Sequence, residues 1–243
     1  LILHAKQEIC SEVIVHGTRD LGLTDIEKRL VCGDKKVDAY KEIPAYQAQY
    51  FLTGFLQSRS YLNPRFEIDG EVLHAHIGEK SHLKEIEMLF GPGEVYDEIH
   101  QNLRRLYRGK ELHPGLIDEV ESEALSLLRQ NGYACAKVES EVDVSREMIR
   151  LRFLRTKVFN FDEFEREKID GLNENALART YPFKYDQKFD EKLLRLNEKR
   201  LTRMEVVQGT YYLEECLDEG ETFKLSQRFL VGPPRTLRFG VGA

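Results

Sequence analysis

The chain of 243 residues predicts an α+β fold: a tandem array of three small β-α-α-β-β domains. Three observations carry that prediction. The first is one stretch, Gly115 to Phe153, that reads as helix, Gly-Tyr, strand, short turn, strand. The second is its recurrence: Tyr61 to Tyr133 is 72 positions and Tyr133 to Met204 is 71, the fixed period of a tandem array. The third is a further strand and helix ahead of each copy. The repeats are placed at residues 1–79, 80–155 and 156–234, each about 75 residues long, enough for one small core.

In the first repeat, Glu12 to His16 is a short β-type run, and Leu23 to Val31 reads as a helix started by Thr24 or Asp25. A second helix carries Tyr46, Tyr50, Leu52, Phe55 and Leu56 and ends before Tyr61. Phe66 and Ile68 then alternate with Arg65 and Glu67, Asp69-Gly70 is a two-residue hairpin signal, and Leu73, Ala75 and Ile77 return on the apolar face.

The second repeat opens with Ile86, Met88 and Phe90 in alternation, broken by Gly91-Pro92-Gly93, before a helix from Tyr96 to Leu106. Leu116, Val120, Ala124, Leu127 and Leu128 recur at helical spacing. Gly132 stops that helix as a left-handed cap. Ala136, Val138, Val142 and Val144 point one way along the next strand, and Lys137, Glu139, Glu141 and Asp143 the other. A turn at Ser145 to Glu147 leads to Ile149, Leu151 and Phe153, alternating with Arg150 and Arg152.

In the third repeat, Phe159 and Phe161 lie in an expected strand that extends as far as Phe164. Asn173 or Asn175 starts a short helix ending before Pro182. Leu193, Leu194 and Leu201 mark the next helix, followed by a hairpin of Val206 to Leu217 and Phe223 to Leu230 turning at Asp218 to Gly220.

The β-α-α-β-β order, the Gly-Tyr before the second strand and the period together resemble polypeptide-transport-associated (POTRA) domains. The stretch Tyr185 to Tyr212, YDQKFDEKLLRLNEKRLTRMEVVQGTYY, is the closest match. The tail from Gly232 to Gly242 looks like the lead into the first barrel strand of the Omp85 superfamily of outer-membrane assembly proteins, with residues 235–243 as the start of a C-terminal β-barrel. Three such domains before a barrel are most like the translocation-and-assembly-module type. The chain departs from the pattern at Ser60, where the second copy has Gly132, and at Arg203-Met204, where Gly-Tyr is missing. The resemblance implies that each domain is a three-stranded mixed sheet covered by two helices, and that the protein lies on the periplasmic face of the outer membrane.

Composition bounds the function. Net charge is 36 minus 42, or −6, which disfavours a nucleic-acid partner. No run of 18 apolar residues marks a membrane helix. The chain begins at Leu1 without a signal-peptide pattern, so a targeting segment is expected upstream or already removed. Thr236, Arg238 and Gly240 alternate with Leu237, Phe239 and Val241, as in a barrel strand between lipid and lumen; an ordinary exposed strand is the alternative. Four cysteines are too few for a disulfide framework. Cys10 and Cys32 form a candidate disulfide, because a strand of roughly 23 Å and a returning helix of roughly 14 Å bring their ends together. Two buried thiols are the alternative. Cys135 and Cys216 fall on second strands of different repeats and are expected to be unpaired.

No catalytic, cofactor-binding or metal-binding residues are expected, and no cofactor. His74 and His76 share one hairpin face with His82 close behind, but no further ligand has zinc-site spacing. Glu94, Asp97 and Glu98 favour the positive end of their helix. Gly91 to Gly93 lacks the lysine and hydroxyl of a phosphate loop, and no serine sits in a nucleophile elbow. Arg195, Lys199, Arg200 and Arg203 read as one solvated helix face with Glu191 and Glu198.

What remains is main-chain chemistry. A three-stranded sheet leaves edges with unpaired N–H and C=O groups, and an extended partner can add there as a further strand. The element order makes the second strand of each repeat a candidate edge. The expected partner-binding residues are Val206, Val207, Gln208, Gly209, Thr210, Tyr211 and Tyr212 in the third repeat, and Lys137, Glu139 and Glu141 in the second. Tyr211 and Tyr212 put one aromatic on each face. The expected function is a non-catalytic periplasmic module. It receives unfolded outer-membrane clients or a periplasmic partner by strand addition and passes them to a barrel. The alternatives are the POTRA region of a general barrel-assembly protein or of a two-partner secretion transporter, and a purely structural docking arm.

Overall fold

The computed structural model describes residues 9–17, 32, 43–89, 94–162, 164–168, 173–203 and 207–231. The expected helix from Leu23 to Val31, the Gly91 to Gly93 break and the barrel-like tail lie outside them. By packing, the chain divides into two compact units: Leu1–Met88 with His100–Glu121 and Ser140–Leu151, and Leu89–Ile99 with Ser122–Glu139 and Arg152–Ala243.

Three mixed three-stranded sheets form, one from each repeat, and all share one plan. In the first, β2 (Glu12–His16) runs parallel to β5 (Val72–His76), which pairs antiparallel with β4 (Arg65–Asp69). In the second, β6 (Glu85–Met88) runs parallel to β8 (Met148–Leu154), with β7 (Lys137–Asp143) on its other side. In the third, β9 (Glu165–Arg166) runs parallel to β11 (Thr222–Val231), which pairs antiparallel with β10 (Val207–Leu217). The last strand of each repeat is therefore central. A hairpin supplies one neighbour, and the parallel neighbour needs the long helical crossover that precedes the hairpin. A two-stranded ribbon, β1 (Ile9–Cys10) with β3 (Ile43–Pro44), joins the first repeat.

The helices are α1 (Ala45–Gln57), α2 (Glu94–Tyr107), α3 (Pro114–Gln130), α4 (Glu174–Ala178) and α5 (Glu191–Thr202). Asn173 and Asp190 cap α4 and α5, each side chain accepting a bond from the N–H two residues on. Proline opens α3, where its missing N–H costs nothing. The ends of α1 and α3 share one geometry: Tyr61 N–H bonds to the Leu56 carbonyl and Tyr133 N–H to the Leu128 carbonyl. The preceding residue is left-handed in both, Ser60 at φ 73° and Gly132 at φ 93°. Ser60 thus does the work of the glycine, and both tyrosines are drawn into the buried interior.

Leu52 and Leu56 of α1 pack on Val13, Leu73, Ala75 and Ile77 of the first sheet. Tyr46 and Tyr50, expected on the same helix among its apolar positions, face solvent. In the third repeat, Phe161, Phe183, Phe189 and Leu194 form one cluster with Ala134, and Leu177, Leu201, Val207 and Phe229 form another. The strand expected at Phe159 to Phe161 is not part of the sheet. Phe161 N–H bonds to the Gln187 carbonyl and Phe189 N–H to the Phe159 carbonyl, so the segment runs against the lead into α5. The sheet strand begins only at Glu165.

Cys10 and Cys32 are bonded, with Cα atoms 4.9 Å apart. Cys135 and Cys216, expected to be unpaired, are also bonded, with Cα atoms 5.7 Å apart. Cys135 sits in the turn after Gly132, and Cys216 at the far end of β10. Arg129, one turn back, pairs with Glu214 and lies 3.5 Å from Glu191. The turn after α3 is therefore held against the third repeat, which strand parity does not reveal.

Candidate strand-docking edges

The longest edge is β10, and its orientation follows from its neighbours. On β11, the Gln227 carbonyl accepts from Glu167 N–H, and Phe229 N–H donates to the Glu167 carboxylate. Odd-numbered residues of β11 thus turn their main chain toward β9. Even-numbered ones turn toward β10, where Leu230, Arg228, Ser226 and Lys224 lie opposite Gly209, Tyr211, Leu213 and Glu215. By the alternation of an antiparallel ladder, Thr210, Tyr212, Glu214 and Cys216 direct their N–H and C=O groups away from the sheet. Among the described residues no strand pairs with that side.

Val206 lies outside the described residues. Val207 is buried against Leu177, Leu201 and Phe229. Gln208 is exposed at a bulge and has no opposite residue on β11. Gly209 lies over Leu230, whose Cδ1 would be 3.3 Å from an added Cβ. The Thr210 hydroxyl donates to the Arg228 carbonyl at 2.9 Å. Tyr211 is 45% exposed, whereas Tyr212 turns inward. Burial pushes the Tyr212 phenol far above its ordinary value, with Tyr181 and Glu198 adding to the shift.

Tyr212 enters a buried polar network that sequence reasoning missed. Its hydroxyl donates to Asn197 Oδ1 at 2.5 Å. Gln227 Nε2 donates to the same oxygen at 3.1 Å and lies 3.2 Å from both the Thr210 and Tyr212 hydroxyls. Tyr181 donates to Gln227 Oε1 at 2.6 Å, and Asn197 Nδ2 to Thr180 at 3.1 Å. Asn197 and Gln227 are fully buried. A signal was present: Asn197 occupies the stripe between Leu194 and Leu201, and Gln227 falls between Leu225 and Phe229. The network ties β10 to α5, so the edge is held in extended form.

The β7 edge differs. Lys137 and Glu139 pair at 2.6 Å on the exposed face, and that bond holds the Glu139 carboxyl below its usual range. Asp143 is held low by the Ser145 hydroxyl and then by the Arg146 amide and Arg150. Arg150 reaches Asp143 at 3.4 Å, Glu87 at 2.9 Å and Glu141 at 4.0 Å. The acidic face is thus interleaved with cations.

The histidines assemble otherwise than by sequence proximity. His16 joins His74 and His76: His16 Nε2 lies 2.9 Å from His74 Nδ1, and its ring stacks on both. His82 stands apart, its N–H donating to Glu147. Among the described residues no group of three ligating side chains is placed to hold a metal ion, and no helix is long and apolar enough to cross a membrane.

No family model matches the chain, and no curated protein matches it. Among solved structures it is similar to POTRA domains 3–5 of BamA from Haemophilus influenzae, with a TM-score of 0.54 over 91% of this chain and 96% of that one. The fold is that of tandem POTRA domains. Sequence identity is 12%, so the likeness concerns fold alone. BamA from Haemophilus ducreyi lacking POTRA domains 1–3 is also similar, at a TM-score of 0.50 and 13% identity, over 62% of this chain and 29% of that one. In this POTRA fold the two strands named from the sequence, β7 and β10, both lie at sheet edges.

Proposed function

We propose that the chain is the periplasmic interaction module of an outer-membrane protein assembly or translocation factor of the Omp85 superfamily. It works without catalysis or cofactor. Its three POTRA domains, at 1–79, 80–155 and 156–234, receive extended segments of unfolded clients or of a periplasmic partner and pass them toward a membrane barrel. The observation that supports this reading best is the β10 edge, 11 residues long, with outward main-chain groups at every second residue from Thr210 to Cys216. Main-chain bonds at such an edge bind any extended segment, and alternate side chains add modest selectivity. That combination suits a receiver that must take many sequences and release them. Exposed Tyr211 and Leu213 supply the apolar outer face against which a client strand packs.

A photo-crosslinking scan from Val207 to Glu214, with unfolded barrel peptides as bait, tests the reading. Crosslinks should alternate, strong at Tyr211 and Leu213 and weak at inward Thr210 and Tyr212. They should be lost in Gln208→Pro, a change at the bulge, with circular dichroism confirming that the domain stays folded. A folded array that gives no crosslinks along β10 would make the region a docking arm and not a client receiver.

A further inference from the structure

We infer that the exposed face of α5 is a docking surface for an anionic lipid bilayer, whose headgroup phosphates are the groups it meets. The binding stands on that face alone and is independent of strand addition at β10. Only the naming of that bilayer as the periplasmic leaflet of the outer membrane rests on the function proposed above.

The face arises from helical phase. At 3.6 residues per turn, Lys192, Arg195, Leu196, Lys199, Arg200 and Arg203 fall within an arc of about 140°. All six are exposed. Leu194, Asn197 and Leu201 lie on the other side and are buried. Sequence alone joins Glu191 and Glu198 to the cationic face, but the structure turns both from it. Glu191 lies 3.5 Å from Arg129, with its side chain only 19% exposed. Glu198 is half-buried. Burial raises its carboxyl above the ordinary range, with Glu214 and Glu191 adding to the shift and Arg195 opposing it. Asp190 is held at the cap by the Lys192 amide.

The charge on this face is therefore uncompensated. Asp190 to Arg203 holds five cations and three carboxylates. Arg195 pairs with Glu191 at 3.2 Å, a carboxylate it shares with Arg129. Among the described residues no carboxylate pairs with Lys192, Lys199, Arg200 or Arg203. Arg200 donates to the Thr180 carbonyl at 3.2 Å, which places the face beside the end of α4. There the exposed Arg179 adds a cation, while Glu174 stands at the opposite end of α4.

This arrangement selects the occupant. The chain as a whole carries −6, so net charge would repel an anionic surface. Screening over about 8 Å at physiological salt leaves a docked surface sensing the local cations and not the distant carboxylates. A protein partner needs an apolar centre of contact, and Leu196 is the single apolar side chain of the arc. A headgroup plane needs no such centre. It meets a convex row of long cationic side chains with many phosphates at once, and Leu196 adds a small apolar contact.

The probe is a vesicle of equal parts phosphatidylglycerol and phosphatidylcholine, co-sedimented with the folded chain. The chain should sediment with it, stay in solution with pure phosphatidylcholine vesicles, and be released in about 0.5 M salt. Each cation near an anionic surface strengthens binding about fivefold, so Lys192→Gln with Lys199→Gln should weaken it about 25-fold. Arg105→Gln with Arg108→Gln removes the same charge from exposed positions at α2 and the turn after it, and should bind like the parent. Circular dichroism confirms that each variant is folded. Equal weakening in the two double variants would overturn the proposal, as would equal binding to neutral vesicles. Capture of poly-glutamate without capture of vesicles would overturn it too, and give the face to an acidic protein. No vesicle binding by the folded chain would overturn it and leave the β10 reading standing. Vesicle binding without crosslinks along β10 would support it while strand addition failed.

Discussion

Replacing Asn197 with leucine tests the buried network under the β10 edge. Asn197 Oδ1 accepts from Tyr212 at 2.5 Å and from Gln227 at 3.1 Å, and its amide donates to Thr180 at 3.1 Å. Leucine has the same branched shape and sits between Leu194 and Leu201, but its methyl groups are bulkier, so an overpacking cost is shared by both variants that carry it. The loss of hydrogen bonding distinguishes them. Gln227 keeps Tyr181 and Thr210 as partners, and Thr180 keeps the Leu177 carbonyl. The Tyr212 hydroxyl loses its acceptor inside the core. A stranded buried donor costs about 1–3 kcal/mol, so Asn197→Leu should lose about 2 kcal/mol. Removing both ends of a buried hydrogen bond is nearly neutral, whereas removing one is expensive. Asn197→Leu combined with Tyr212→Phe should therefore be more stable than Asn197→Leu alone, by about 1 kcal/mol. The assay is urea unfolding read by circular dichroism and tyrosine fluorescence, since the chain has no tryptophan. A double variant less stable than the Asn197 single variant would refute the reasoning.

Further expectations follow from the same structure. Burial raises the phenols of Tyr212, Tyr181 and Tyr133 above 10.0. Their protonated folded form therefore contributes stability that is complete below pH 10.0 and is lost as pH climbs through the folded values. The urea midpoint should fall on the alkaline side, with a slope of up to about 1.4 kcal/mol per pH unit for each phenol still protonated, and a flat midpoint would contradict it. The Cys135–Cys216 bond closes a separation of 81 residues and Cys10–Cys32 one of 22. Loop entropy then puts their loss, in paired alanine variants, at about 4–5 and about 3 kcal/mol. Equal losses in denaturant titrations would argue against the longer bridge. Gly132→Ala should cost about 1–2 kcal/mol from the left-handed backbone alone, more because its Cβ would lie 2.7 Å from Lys188 Cε. Ser60→Gly at the corresponding turn should be neutral or stabilising by up to about 1 kcal/mol, and thermal melts of the pair give the two signs.

Much of the architecture was legible because each repeat states its period locally. Strand β2 and the β10–β11 hairpin fall within a residue of where alternation places them, and Asn173 caps α4 as its side-chain chemistry predicts. The departure at Ser60 is one of residue type and not of geometry, since serine tolerates the left-handed turn when the tyrosine after it anchors the chain. What was illegible depends on contacts between distant segments. Phe159 and Phe161 alternate like a strand, but the lead into α5 offers them bonding partners that sequence pattern does not record. The same holds for Cys135 and Cys216, which meet because the turn after α3 packs on the third repeat. His16 joins His74 and His76 only through the parallel register of β2 with β5. Residue type alone places Tyr46 and Tyr50 with the apolar positions, yet the helical phase of Ala45, Ala48, Leu52 and Leu56 turns them outward.

The most direct test of client reception by strand addition is amide hydrogen exchange of β10 with and without an unfolded barrel peptide. Thr210, Tyr212 and Glu214, whose N–H groups face the open edge, should gain protection on binding. Gly209, Tyr211 and Leu213, already bonded within the sheet, should change little. Protection confined to the helices, or equal at odd and even positions, would contradict strand addition at this edge.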